Sequence, residues 1–193
     1  MTDRQLPMPS RRSLIGGAGK TLSVAAVAMI VGGCSNAATA NGSGDTAQDV
    51  SLLNAAIALE HEGIAAYQIA ATSGLLDPAV VDIGVTFQGH HKGHRDELEK
   101  AVRQLGGTPV AAKTDAEYAE ALNVASLKNQ ADVLRLALGL ERGAANAYLG
   151  LIPSLGVDFH QVAAQMAGDE AFHAAILGNA LGEPIPKAAL IFG

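Results

Sequence analysis

Residues 56–67, Ala56-Ile57-Ala58-Leu59-Glu60-His61-Glu62-Gly63-Ile64-Ala65-Ala66-Tyr67, are repeated in pattern at residues 137–148, Ala137-Leu138-Gly139-Leu140-Glu141-Arg142-Gly143-Ala144-Ala145-Asn146-Ala147-Tyr148. Glu60 aligns with Glu141, and Tyr67 with Tyr148. A second pair follows the first. Phe87-Gln88-Gly89-His90-His91-Lys92-Gly93-His94, running on to Leu98, aligns with Met166-Ala167-Gly168-Asp169-Glu170-Ala171-Phe172-His173, running on to Leu177. His94 falls on His173 and His91 on Glu170. A duplicated helix pair that carries a carboxylate, then a ligand-x-x-His unit, is the means by which a four-helix bundle builds a two-metal site.

Each repeated segment belongs to a longer apolar stripe with steps of three and four residues. The first stripe is Leu53, Ile57, Glu60, Ile64, Tyr67, Ala71, and the second is Val80, Phe87, His91, His94, Leu98, Val102, Leu105. The third is Leu134, Leu138, Glu141, Ala145, Tyr148, Ile152, and the fourth is Phe159, Met166, Glu170, His173, Leu177, Leu181. That period is one face of an amphipathic helix, and no comparable alternation suggests strands. Gly74, Gly106-Gly107 and Gly182 read as helix stops; Asp77-Pro78 and Asp158 read as helix starts, with Asp as cap. Thr114-Asp115-Ala116-Glu117 reads as a capping box opening a short helix to about Leu122.

Connection lengths set the topology. The first and third connections are short, so helices one and two are antiparallel neighbours, as are three and four. The stretch from Gly106 to about Lys128 is long enough to travel the bundle, which lets helices two and three run parallel. The expected fold is all-α: two antiparallel helix pairs joined by a long crossover that contains a short helix. Glu60 and His91 both lie roughly 20 Å from their shared turn at 1.5 Å per residue, and Glu141 and Glu170 roughly 18 Å from theirs. All four therefore meet in one layer near mid-bundle. A lone core carboxylate costs several kcal/mol unless paired, protonated or metal-bound. One such Glu or His is ordinarily a satisfied structural residue; six on facing stripes of a duplicated pattern point to a metal centre. Tyr67 and Tyr148 serve equally well as core aromatics or as hydrogen-bond partners of the ligands. His61, Glu62 and His90 fall off the stripes and are expected on solvated faces, and His160 near the start of the fourth helix is expected to be structural or exposed.

The N-terminus is a targeting segment. Arg11-Arg12-Ser13-Leu14-Ile15 is a basic n-region, Leu22 to Val31 an apolar h-region, and Gly32-Gly33-Cys34 a small-residue cleavage site. It resembles a twin-arginine export signal, and Val31-Gly32-Gly33-Cys34 resembles a lipobox that would make Cys34 the first mature residue, lipidated at its sulfur. An uncleaved anchor is disfavoured by the short apolar run, and soluble secretion with cleavage after Ala38-Thr39-Ala40 is the remaining alternative. The organisation read from the sequence is thus an export signal over 1–33, a flexible tether over 34–47, a bundle over 48–182 and a tail over 183–193. The expected localisation is exported, on the periplasmic or outer envelope face, held to the membrane through lipid on Cys34.

Cys34 is the only cysteine, so neither an intrachain disulfide nor a thiolate metal site can form. The chain carries 13 basic and 19 acidic side chains and no tryptophan. An acidic body without a basic stripe, poor in stacking aromatics, argues against nucleic acid as partner.

The residues quoted resemble the di-metal carboxylate site of the ferritin-like superfamily, and the chain resembles exported ferritin-like domain proteins in particular, over about Val50 to Leu181. The resemblance implies a ferritin-like four-helix bundle with Glu60, His91, His94, Glu141, Glu170 and His173 as metal ligands. Glu60 and Glu141 would bind end-on or chelate, His94 and His173 would each hold one ion, and Glu170 would bridge. The family pattern has Glu where this chain has His91. That exchange removes one negative charge, so an anion completes the site or one ion binds tightly beside Glu141, Glu170 and His173. Oxygen and imidazole donors suit Fe, Mn or Zn, with Fe the expected cofactor. Two functions are implied: a metal oxidase or a scavenger of oxygen or peroxide, with a small oxidant as co-reactant, or a non-catalytic envelope module with a degenerate site. A lipid tether sits poorly on a closed storage shell.

Overall fold

Leu105-Gly106-Gly107 and Leu181-Gly182-Glu183 end the second helix of each half in the same way. Gly106 and Gly182 take φ of 78° and 71°, a left-handed conformation in which glycine has no Cβ penalty. The next amide closes the motif: Gly107 N–H donates to Val102 O and Glu183 N–H to Gly178 O, both at 2.9 Å. The computed structural model describes residues 46–193. The export signal, Cys34 and nearly all of the tether lie outside the described residues.

Four long helices make the bundle: α1 (Thr46–Thr72), α2 (Pro78–Gln104), α4 (Gln130–Leu151) and α5 (Val157–Ala180). Helix α3 (Asp115–Ala121) and a 3-10 turn (Val124–Ser126) lie in the crossover. No strand occurs among the described residues. The α3 capping box is complete, with Thr114 and Glu117 each bonding the other's backbone N–H. α1 packs chiefly on α2 and α4 on α5. The α1–α2 turn meets the start of α4 through Asp77 N–H donating to Gln130 Oε1 at 2.7 Å. The α4–α5 turn meets the start of α1 through Gly156 N–H donating to Asp49 Oδ1 at 2.7 Å. The two turns therefore sit at opposite ends, and α2 runs parallel to α4.

The two aspartates expected as caps do other work. Asp77 stands at the α2 N-cap without a side-chain cap bond; its carboxylate accepts from Gln130 Nε2 at 3.2 Å and ties two elements together. α5 starts two residues earlier than expected, so Gly156 is its N-cap and Asp158 lies in the first turn, where it complements the helix dipole.

The core has two apolar clusters. One gathers Leu52, Leu53, Ile57, Leu98, Val102 and Leu151 with their neighbours at the end where α1 starts. The other gathers Tyr67, Phe87, Leu134, Leu138, Ala174 and Leu177 at the opposite end. The polar residues of the four stripes fill the layer between them. Crossover residues 108–110 run along α1, where Asn54 bonds both strands of contact: its Nδ2 donates to Thr108 O at 3.1 Å and its Oδ1 accepts from Val110 N–H at 2.7 Å. This cover buries His61, which lies 3.2 Å from Val110 O through Nε2. The expectation of a solvated His61 is corrected, because a long crossover must lie on some helix face. The tail also returns to the bundle: Phe192 packs on the second cluster, and Gly193 N–H donates to Asn146 Oδ1 at 2.8 Å.

Candidate metal centre

Glu60 comes from α1, His91 and His94 from α2, Glu141 from α4, and Glu170 and His173 from α5; all six are buried. The three-residue spacing in α2 and α5 aims both members of each pair at one point. The structure brings the six together as two overlapping groups. One is Glu60, His91, His94 and Glu170; the other is His91, Glu141, Glu170 and His173, with donor atoms of each group within 4.8 Å of one another. His91 and Glu170 belong to both.

His91 Nδ1 lies 2.8 Å from Glu60 Oε2, and its Nε2 lies 3.3 Å from Glu141 Oε1. His94 Nδ1 is 3.1 Å from Glu170 Oε1, and His173 Nδ1 is 3.2 Å from Glu170 Oε2 and 3.4 Å from Glu141 Oε2. Donors around one ion at ~2.1 Å stand roughly 3.0–3.4 Å apart, so these separations suit ligation by a common ion. The donor set is oxygen and imidazole, all buried, and it fits a divalent metal.

The same groups also neutralise each other. Burial works against charge on His91, yet hydrogen bonds with Glu141 and Glu60 hold its pKa well above the usual imidazole value. Burial likewise opposes charge on His94, and Glu170 and Glu60 outweigh it, raising the pKa to about 10. Burial would raise Glu60, but His91 and His94 bring it below the ordinary carboxylate range. Burial would also raise Glu141, which Glu170, His173 and His91 hold well below that range. Glu170 is raised, by burial first and then by its hydrogen bond with Glu141. Of the three carboxyls it alone is shifted upward.

Partners around the six were only half legible from sequence. Tyr67 donates its hydroxyl proton to Glu141, and Tyr148 donates to Glu60. Each tyrosine serves the glutamate of the other half. Both phenols are kept protonated, by burial first and then by the adjacent carboxylate. His94 turns its second nitrogen to Asp169, with Nε2 donating to Oδ2 at 3.1 Å. His173 turns its Nε2 to His90 Nδ1 at 2.9 Å, and the two rings stack at 16°. His90, expected on a solvated face, is exposed and also touches the centre. Asp169 and His90 are aligned positions of the repeat, one step before Glu170 and His91. That alignment was the available signal for both. His160 bonds Leu155 O at 2.9 Å and is structural. Glu62, also expected on a solvated face, is half-buried at the rim of a cleft described below.

His91 has been given room. A Cβ placed on Gly63 would stand 3.1 Å from His91 Cε1 and Nδ1. In the other half the aligned residue is Ala144, and the residue aligned with His91 is Glu170. The larger ring is accompanied by the loss of a methyl on the paired helix.

The chain matches the family model of the ferritin-like domain over residues 48–183. It belongs to the ferritin-like domain family. Among solved structures, this ferritin-like chain is similar to a conserved hypothetical protein from Mycobacterium tuberculosis, at TM-score 0.60 and 24% identity, covering 74% of this chain and 96% of that one. At that identity the likeness speaks for the fold. No curated protein matches the chain.

Proposed function

We propose that this ferritin-like protein is exported, is tethered to the envelope membrane by lipid on Cys34, and holds one or two divalent ions, Fe or Mn, that react with oxygen or peroxide. The observation that carries the reading is the pair of overlapping buried groups sharing His91 and Glu170. A redox-active ion held with open coordination between such groups supplies the electrons for reduction of a small oxidant. The chain's own residues prepare that chemistry. Glu170 belongs to both groups and would be the carboxylate that serves both ions. Asp169 and His90 fix the rings of His94 and His173 through their outer nitrogens. Tyr67 and Tyr148 hold the carboxylates of Glu141 and Glu60 in place. The apolar clusters close the layer toward both ends of the bundle.

Export rests on Arg11-Arg12 and Cys34. Changing both arginines to Lys is expected to leave precursor in the cytoplasm, and Cys34→Ser to abolish lipid labelling. Normal processing and labelling in those variants would overturn this half of the proposal.

A second reading, a non-catalytic module with a degenerate site, is favoured by His91. Anaerobic iron titration of the native protein and of His91→Glu separates the two. Binding in the native protein, rising toward two ions per chain in the variant, supports the metal reading. No binding in either supports the module.

A further inference from the structure

The two halves of the bundle meet along a seam between α1 and α4, and that seam is lined by small residues where it passes the centre. Gly63, Gly139 and Gly143 form its walls, and at its floor lie His91, Glu141 and Tyr67. Gly139 is exposed, Glu62 and Gly143 are half-buried, and the floor residues are buried, so the cleft runs inward from the surface. Its interior volume is about 50 Å³. That volume is counted at the centres of water-sized molecules, one of which needs about 10–15 Å³ on the same measure, so the space suits a small ligand of a few heavy atoms. The lining is largely apolar, and its polar floor is acidic through Glu141, with Glu62 at the rim. An apolar lining disfavours a charged ligand and leaves neutral ligands favoured. The floor is also the face of the centre on which the imidazole of His91 replaces a carboxylate, so no further negative charge meets an arriving molecule.

We propose that the glycine-lined cleft between α1 and α4 is the port through which a neutral diatomic or triatomic ligand of the dioxygen or hydrogen peroxide class reaches the centre, arriving beside His91 and Glu141. The port rests on the metal reading for its use, though not for its existence. Gly139 lies at the mouth, and a Cβ there meets nothing within 4 Å, so a larger residue adds bulk at the mouth with no clash at its first carbon. Leucine is also the better helix former, so the substitution is expected to preserve or raise the melting temperature.

Two measurements test the port. In metal-free crystals under xenon pressure, the native protein is expected to show one xenon between Gly63 and Gly139, and Gly139→Leu none. In anaerobic Fe(II)-loaded protein, nitric oxide is the neutral diatomic probe. The rate of appearance of the iron–nitrosyl absorption is expected to fall tenfold or more in Gly139→Leu, with iron content unchanged. Gly150→Leu, an exposed α4 position where a Cβ also meets nothing within 4 Å, controls for helix stabilisation and is expected to react at the native rate. An empty cleft in the native crystal overturns the port, as does a Gly139→Leu rate within a factor of two of native. Failure of the native protein to bind iron sinks the metal reading instead, and the xenon result then decides the port alone.

Discussion

The first half of the bundle reads His90-His91-x-x-His94 where the second reads Asp169-Glu170-x-x-His173. Geometry is kept across this exchange. In each half the last residue points one nitrogen at the centre and the other at an outer partner supplied by the opposite half: Asp169 for His94, His90 for His173. Charge is not kept, because two positions that are acidic in the second half are imidazole in the first. Space has been adjusted to match, with Gly63 under the His91 ring where the second half has Ala144. The comparison teaches that the first half is fitted to histidine, and that Glu170 is the carboxylate common to both groups.

The sharpest way to break the comparison is to remove that carboxylate. Glu170→Gln keeps the size of the side chain and its capacity to hydrogen-bond while removing the acid, and should cost no more than about 1–3 kcal/mol of stability. Metal affinity should fall by at least about 10–100-fold, the loss usual for an outer partner and a lower bound for a ligand. His91→Gln should cost less, because a neutral imidazole is removed and no charge. Equal losses in the two variants, measured by competition with a chelator, would show that the shared positions are equivalent.

The next effect is on pH dependence. His94 has a folded pKa of about 10 against about 6.5 unfolded. The folded value is the higher, so its stabilisation is complete below about pH 6.5 and is lost as pH rises through about 10. Glu60 and Glu141 are depressed, so theirs is present above the unfolded value near 4.5 and lost as pH falls below it. The metal-free melting temperature should therefore be greatest between about pH 5 and 6.5 and decline toward pH 10. Metal affinity should move the other way over the upper window, since ligation needs neutral imidazole and expels those protons. Parallel trends in calorimetry and metal titration would contradict this account. His91→Glu should flatten the upper limb, because it removes one of the two raised histidines of the first half.

How much of this could be read from the sequence follows from distance along the chain. The stripes gave the four helices, and the three-residue spacing placed all six central groups on inward faces. What escaped depended on which helices are neighbours. Tyr67 lies seven residues from Glu60, roughly 10 Å along one helix, which is too far for a hydrogen bond; the antiparallel neighbour α4 brings Glu141 to it instead. Asp169 and His90 act across the α2–α5 boundary, and no local period encodes that. His61 is buried by the crossover, whose path is set by tertiary packing.

Gly63 tests whether the fit to histidine is coupled. Gly63→Ala gains about 1 kcal/mol of helix propensity and presses a methyl against the His91 ring at 3.1 Å. In the native background the two effects should nearly cancel in stability, while the displaced ring lowers metal affinity by about tenfold. In His91→Glu the ring is gone, so the same substitution should raise stability by about 1 kcal/mol and leave affinity unchanged. The four proteins form a double-mutant cycle. Additive effects would mean that glycine at position 63 and histidine at position 91 are unrelated features of the first half.

The smallest expected difference lies between the crossed tyrosines. Each phenol donates to a buried carboxylate, and losing a bond to a charged group costs about 1.5–3 kcal/mol when nothing replaces it. Tyr148 sits 1% exposed within the first apolar cluster, where no water can reach Glu60 in its place. Tyr67 is 8% exposed and borders the cleft between α1 and α4, where a water can take over the bond to Glu141. Tyr148→Phe should therefore destabilise the metal-free protein more than Tyr67→Phe, by about 1 kcal/mol. The order reverses for the centre's reactivity, because Tyr67 is the residue beside the port. Equal stability losses, read by denaturant unfolding of the two variants, would mean that water does not enter the cleft as far as Glu141 and that the two halves are equally dry.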